Sequence, residues 1–138
     1  MAATTAKDLT VVLQDRPGTI AKACEAIAKA GINIEGHCGV PSDGQGIFHV
    51  LTMDAGGARR ALEGAGFEVR EQRDIVVVDT EDRPGVLAGL FRKVAEADVN
   101  VDLTYSLVAG RVAIGSKDIG RLRDALEAEA GAATTRKK

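Results

Sequence analysis

Asp15-Arg16-Pro17-Gly18-Thr19-Ile20 and Asp82-Arg83-Pro84-Gly85-Val86-Leu87 are one stretch written twice, 67 residues apart. The likeness continues downstream. Ile20, Ala23, Cys24 and Ile27 fall on Leu87, Leu90, Phe91 and Val94, and the copies end alike in Ile32-Asn33-Ile34 and Val99-Asn100-Val101. A long period seen only twice does not describe a solenoid, which needs more copies to bury a continuous core. It describes two similar small modules, expected over 1–72 and 73–130, with a disordered basic tail at 131–138.

Working outward from each copy gives the same order of elements. Leu9, Val11 and Leu13 alternate as a strand does, and residues 1–6 read as a frayed end. Proline suits the first turn of a helix, because its missing N–H is no loss there. From Ile20 the apolar positions recur at 20, 23, 24 and 27, the stripe of an amphipathic helix that Gly31 ends. Ile32–Val40 and Ile47–Met53 read as strands joined by the turn-rich stretch 41–46. Asp54 can cap a short helix, and Phe67–Glu71 reads as a fourth strand. The order is β-α-β-β-α-β, the ferredoxin-like arrangement of an α+β protein. The second copy repeats it: a strand over Asp74–Thr80, a helix over 85–97, strands over Val99–Leu107 and Arg111–Gly115, and a helix that Ser116 can cap. Ile75-Val76-Val77-Val78 is apolar on both faces, as in a strand covered on both sides or lying at an interface. No apolar run after Leu126 matches Phe67–Glu71. The second module is therefore expected to lack its last strand, leaving the edge short or filled from elsewhere.

Composition narrows the function. The 138 residues are 45% hydrophobic and carry a net charge of −2, which describes an ordinary folded chain. Aromatics are 3% and tryptophan is absent, so the base-stacking platform of a single-strand binder is missing. No run is long and apolar enough to span a membrane, and residues 1–7 lack the apolar core of a secretory signal. Cys24 and Cys38 are too few for a disulfide framework, and a cytoplasmic location is expected. His37, Cys38 and His49 fall on neighbouring strands, but 37 and 38 point to opposite sheet faces. No metal site and no cofactor are expected. Cys24 matches Phe91 on the inner helix face and reads as core rather than nucleophile. Neither copy carries a Ser-His-Asp arrangement, so no enzyme is expected.

The repeated loop carries the binding chemistry. It leads into a helix N-terminus, where free N–H groups and the positive dipole end favour a carboxylate. Gly18 and Gly85 leave room for a close approach. Asp15 and Asp82 can receive an ammonium, and Asn33 and Asn100 offer both a donor and an acceptor. Plainer roles stay open: turn capping for the aspartates, turn geometry for Pro-Gly, local hydrogen bonds for the asparagines.

The doubled loop, the asparagine 18 residues beyond each aspartate and the β-α-β-β-α-β order together resemble the ACT domain, a small ligand-binding regulatory module. The resemblance covers nearly the whole chain. It implies two ACT modules packed side by side, without chemistry of their own, that bind an amino acid at an interface between modules and control a partner enzyme or pathway. The implied ligand-binding positions are Asp15, Arg16, Pro17, Gly18, Thr19, Ile20, Asn33 and Ile34 in the first copy. In the second they are Asp82, Arg83, Pro84, Gly85, Val86, Leu87, Asn100 and Val101. A homodimer is expected, and no direct contact with nucleic acid. The alternative is a ligand-independent interaction or dimerisation adaptor on the same fold, whose open edge accepts a partner strand.

Overall fold

A computed structural model describes the backbone of residues 3–136 and the side chains of residues 3–127. The elements are β1 (Ala3–Gln14), α1 (Thr19–Lys29), β2 (Ile34–Ser42), β3 (Gln45–Thr52), α2 (Ala55–Gly64) and β4 (Glu68–Asp79), followed by α3 (Val86–Glu96), β5 (Leu103–Leu107), β6 (Arg111–Gly115) and α4 (Ile119–Arg136). They form two units. One holds residues 7–73; the other holds residues 74–136 together with residues 3–6.

In the first module β3 lies between β1 and β2, antiparallel to both, with Val11 opposite Phe48 and Gly39 opposite Phe48 on its other side. The strand period puts Leu9, Val11 and Leu13 on one face. There they meet Ala23 and Ile27 of α1, Ala58 and Leu62 of α2, and Phe48 and Val50 of β3. Of the helical stripe read from residues 20–27, Ala23 and Ile27, with Cys24 partly buried, supply the α1 half of this core, while Ile20 stays half-exposed. Asp54 caps α2, its Oδ1 accepting from the Gly57 amide at 2.9 Å. The opposite face of β1 carries Asp8, Thr10 and Val12, which are also buried. Asp8 Oδ2 accepts a hydrogen bond from His49 Nδ1 at 2.9 Å.

The second module repeats the plan. β6 lies between β4 and β5, with Val77 opposite Ala113 and Tyr105 opposite the same residue. Val76, Val78, Leu90, Val94, Ile114, Leu122 and Leu126 form its core. Residues 75–78 are all buried, as a strand apolar on both faces requires.

Four local readings are corrected. β4 is one strand over Glu68–Asp79, where two strands were expected, because nothing between Phe67 and Asp79 breaks it: there is no glycine or proline. The cap of α4 is Asp118, whose Oδ1 accepts from the Arg121 amide at 3.1 Å; Ser116 Oγ instead accepts from the Asp118 amide. Residues 131–136, read as a tail, continue α4; the alanine-rich run from 128 to 133 favours helix. Residues 137 and 138 lie outside the described residues.

The fourth correction concerns residues 3–6, read as frayed. They are strand, and they belong with the second module. Ala3 packs against its core, and Arg123 Nη2 donates to Thr5 Oγ1 at 2.6 Å. No strand follows α4 among the described residues, so the second module takes its fourth strand segment from the start of the chain. Residues 68–73 of β4 fill the equivalent place in the first module, with Val69 in its core.

Candidate functional site

The two repeated loops fold alike. The Arg16 amide donates to Gln14 O at 2.9 Å, and the Arg83 amide donates to Glu81 O at 3.1 Å. Gly18 and Gly85 cap α1 and α3 at φ +93° and +88°, a left-handed conformation that disfavours any side chain. A Cβ on Gly18 would meet no atom within 4 Å. The glycine therefore answers first to backbone conformation and only then to a ligand's approach. Neither cap supplies a side-chain hydrogen bond. The Lys22 amide reaches Gly18 O at 3.0 Å, while those of Ile20 and Ala21 have no acceptor among the described residues. They point a pair of donors out of the positive end of the helix.

Around the first loop the structure forms a pocket of about 320 Å³. All six loop positions, from Asp15 to Ile20, line it. Leu13 and Phe48 form its floor, and Gly39, Val40, Pro41, Gly46 and Ile47 of the β2–β3 hairpin form its far wall. The polar and apolar parts are segregated. Asp15 and Arg16 are the charged lining residues, both at the loop, and neither has an ion-pair partner among the described residues. Thr19 is committed to the loop itself: its hydroxyl donates to Gln14 O at 2.8 Å. The hairpin side carries no charged group.

The second loop stands beside a shorter hairpin. Beyond Gly39–Phe48, the first hairpin adds three rungs, Val40–Ile47, Pro41–Gly46 and Ser42–Gln45. Beyond the matching pair Ser106–Val112, the second adds only Leu107–Arg111 before the turn at 108–110. The hairpin beside the second loop is two rungs shorter, and Ser106 stands where Gly39 has no side chain. Arg83 is also occupied, its Nε 2.7 Å from Glu81 Oε2. Asp82, Pro84, Gly85 and Leu87 are exposed and Val86 is half-buried.

The remaining candidate residues lie apart from the loops. Asn33 is exposed and its Nδ2 donates to Glu35 Oε2 at 2.8 Å; it does not line the first pocket. Ile34 packs on the first core and Val101 on the second. Asn100 lines a separate hollow of about 160 Å³ with Asp98, Ser116 and Arg121. The hairpin residues of the first pocket were missed from the sequence. Gly39 and Gly46 were the available signal, since a glycine inside a strand often marks a close approach.

No group of three or more histidine, cysteine or acidic side chains fit for a metal occurs among the described residues. His37 lies against Phe48, ring centres 6.0 Å apart, while His49 stands opposite Cys38 and bonds Asp8. Burial pushes the Cys24 thiol up, with the Glu25 charge adding to it. A thiol held neutral is a poor nucleophile. No described helix is long and apolar enough to cross a membrane.

Comparison with solved structures places the chain among several of one fold. A protein of Bacteroides thetaiotaomicron superposes with a TM-score of 0.83 at 24% identity, covering 93% of this chain and 90% of that one. The ligand-free regulatory subunit of aspartate kinase from Thermus thermophilus gives 0.66 at 23%, covering 91% and 93%. The corresponding subunit from Thermus flavus gives 0.59 at 23%, covering 91% and 94%. No curated protein matches the chain. The family described as the ACT domain pair matches residues 4–124, and the chain belongs to it.

Proposed function

We propose that this chain is a non-catalytic regulatory protein that senses an amino acid in the first module and passes the signal to a partner enzyme. One observation carries the reading. The first loop presents an unpaired guanidinium, an unpaired carboxylate and a helix N-terminus beside a pocket whose hairpin side is apolar. That is the complement of a zwitterion with a side chain. Arg16 and the amides of Ile20 and Ala21 suit an α-carboxylate, and Asp15 suits an α-ammonium. The pocket is at the small end of small-molecule sites, which run from about 300 to 1,000 Å³. It suits one amino acid better than a dinucleotide. The second module serves as scaffold, because its loop faces a shorter hairpin and its arginine is paired with Glu81.

Signalling follows from population shift: a ligand that favours one arrangement of the protein draws the population toward it. Regulatory subunits of aspartate kinase share this fold, which supports a role beside a partner enzyme. Half-exposed Ile20 and Val40 flank the pocket, and Leu87 and Val108 are equally exposed in the second module. Apolar groups so placed support assembly as a homodimer. Two free cysteines support a reducing, cytoplasmic setting. The adaptor reading drew on an open edge in the second module, and residues 3–6 belong to that module.

Calorimetric titration with the twenty amino acids tests the proposal. One or a few related amino acids should bind, and Arg16→Ala should weaken them at least tenfold. Binding that Arg16→Ala leaves untouched would move the site elsewhere.

A further inference from the structure

The first pocket is not only a zwitterion site; its far side has a definite chemistry. We infer that it selects an α-amino acid with an apolar side chain, and that Gly39 of β2 sets the size admitted. This rests on the amino-acid-sensing reading above.

Once its α-carbon is held at the loop, a ligand turns its side chain toward the far side of the pocket. The only charged lining residues, Asp15 and Arg16, sit at the mouth. A zwitterion that uses both leaves neither for its side chain. The other polar lining residues, Gln14 and Thr19, also lie on the loop side, and the rest of the pocket offers the side chains of Leu13, Ile20, Val40, Ile47 and Phe48. Leu13 and Phe48 belong to the buried core of the module, so the pocket floor is continuous with dry protein. An ammonium or second carboxylate placed there would lose its water without gaining a partner, which outweighs any packing it brings. An aliphatic group gains from every carbon it buries.

Gly39 sets the depth. It stands opposite Phe48 in the hairpin. A Cβ built on it would lie 3.7 Å from Phe48 Cδ1 and 3.9 Å from Ile20 Cδ1, ordinary contact distances. Alanine is therefore accommodated without strain, yet its methyl group takes up space between the floor and the α1 side of the pocket. A larger side chain fills that space. Gly46 does the same on the neighbouring strand, where a Cβ would sit 3.6 Å from the Cβ of Leu13. In the second module the residue matching Gly39 is Ser106, which brings a side chain to that place.

The test is titration of the full chain with L-alanine, L-valine, L-leucine, L-methionine and L-phenylalanine, against L-lysine, L-threonine and L-aspartate. Gly39→Ala, Gly39→Leu and Arg16→Ala are measured beside it, with melting temperature as the check on folding. Affinity should climb from alanine to leucine by about fourfold per added carbon, with the charged and hydroxylated amino acids well below. Gly39→Ala should shrink the leucine-to-alanine preference at least fourfold, and Gly39→Leu should abolish leucine binding with the fold intact. A purely structural role for Gly39 would lower all affinities together and leave the preference unchanged, overturning the inference. Lysine, threonine or aspartate binding more tightly than leucine, and lost in Arg16→Ala, would overturn the side-chain assignment while leaving amino-acid sensing in place. Silence from all eight at millimolar concentration, with the chain folded, would overturn both.

Discussion

Arg83 holds Glu81 across 2.7 Å, whereas Arg16, its counterpart in the first loop, holds nothing among the described residues. The two loops share a sequence and a backbone path but not an available charge. Both members of the Arg83–Glu81 pair are largely exposed, so the pair adds little to stability. Its consequence is that the second loop has spent its cation locally. Arg83→Ala should leave amino-acid affinity within about twofold, a shift of under about 0.5 kcal/mol. Arg16→Ala should cost tenfold or more, about 1.4 kcal/mol. Equal losses from the two substitutions would show that both modules bind.

Helix ends give a second asymmetry. After α1, Gly31 at φ +75° ends the helix, its amide reaching Ala28 O at 2.9 Å while the Ile32 amide reaches Ile27 O at 3.3 Å. This is the double-bonded glycine terminus. After α3 the same bonds recur, from Asp98 to Ala95 O and from Val99 to Val94 O, but Asp98 takes the left-handed position at φ +58°. A side chain there costs about 1 kcal/mol or more. Asp98→Gly should stabilise the chain and raise its melting temperature by roughly 3 °C. Gly31→Ala should lower it by a similar amount. A melting temperature that falls in Asp98→Gly would mean that the Asp98 side chain contributes more than its backbone strain removes.

Much of this was legible in the sequence, and the parts that were not have physical reasons. The repeat, the helix stripes from Ala23 to Ile27 and from Leu90 to Val94 and the Asp54 cap follow from local rules that tertiary packing did not overturn, while Ile20 and Leu87, which open the two stripes, stay about half-exposed. Two features lie outside those rules. Ala3-Thr4-Thr5-Ala6 carries no apolar alternation, so nothing local marks it as strand; it is ordered by the second core, far along the chain. Asn33 has the donors and acceptors of a ligand contact, yet its amide turns to Glu35 two residues on. Composition and spacing do not reveal which partner a side chain takes. The asymmetry of the loops was legible in principle: the hairpin from 106 to 112 is three residues shorter than that from 39 to 48.

Cys24 makes a prediction with a sign. Burial, aided by Glu25, raises its pKa in the folded chain above the ordinary thiol value. The folded state thus prefers the neutral thiol. The stability this gives is fully present below the unfolded pKa, about 8.5. It is lost as pH climbs through that value toward the raised one. Denaturation measured between pH 7 and pH 10 should show a downward slope that is shallower in Cys24→Val. At pH 8, iodoacetamide should alkylate Cys24 in a Cys38→Ser background more slowly than it alkylates free cysteine. Equal or faster alkylation would mean that the thiol is more exposed and more acidic than its packing implies.

Residues 3–6 allow the sharpest test of how the modules are built. They lie in a strand that begins with the second module and continues, from residue 7, into the first. Thr5 accepts the 2.6 Å hydrogen bond from Arg123 of α4, and Ala3 touches the second core. Thr5→Pro removes an amide donor and fixes φ, which a paired strand tolerates poorly. The cost should be about 1–3 kcal/mol. It should fall on one module: amides of α3, β6 and α4 should exchange faster with solvent deuterium, while those of α1 and β3 change less. Arg123→Ala should follow the same pattern more weakly, since it removes a single exposed hydrogen bond. If Thr5→Pro instead loosens α1 and β3 first, residues 3–6 serve the first module, and the second module does end without its last strand.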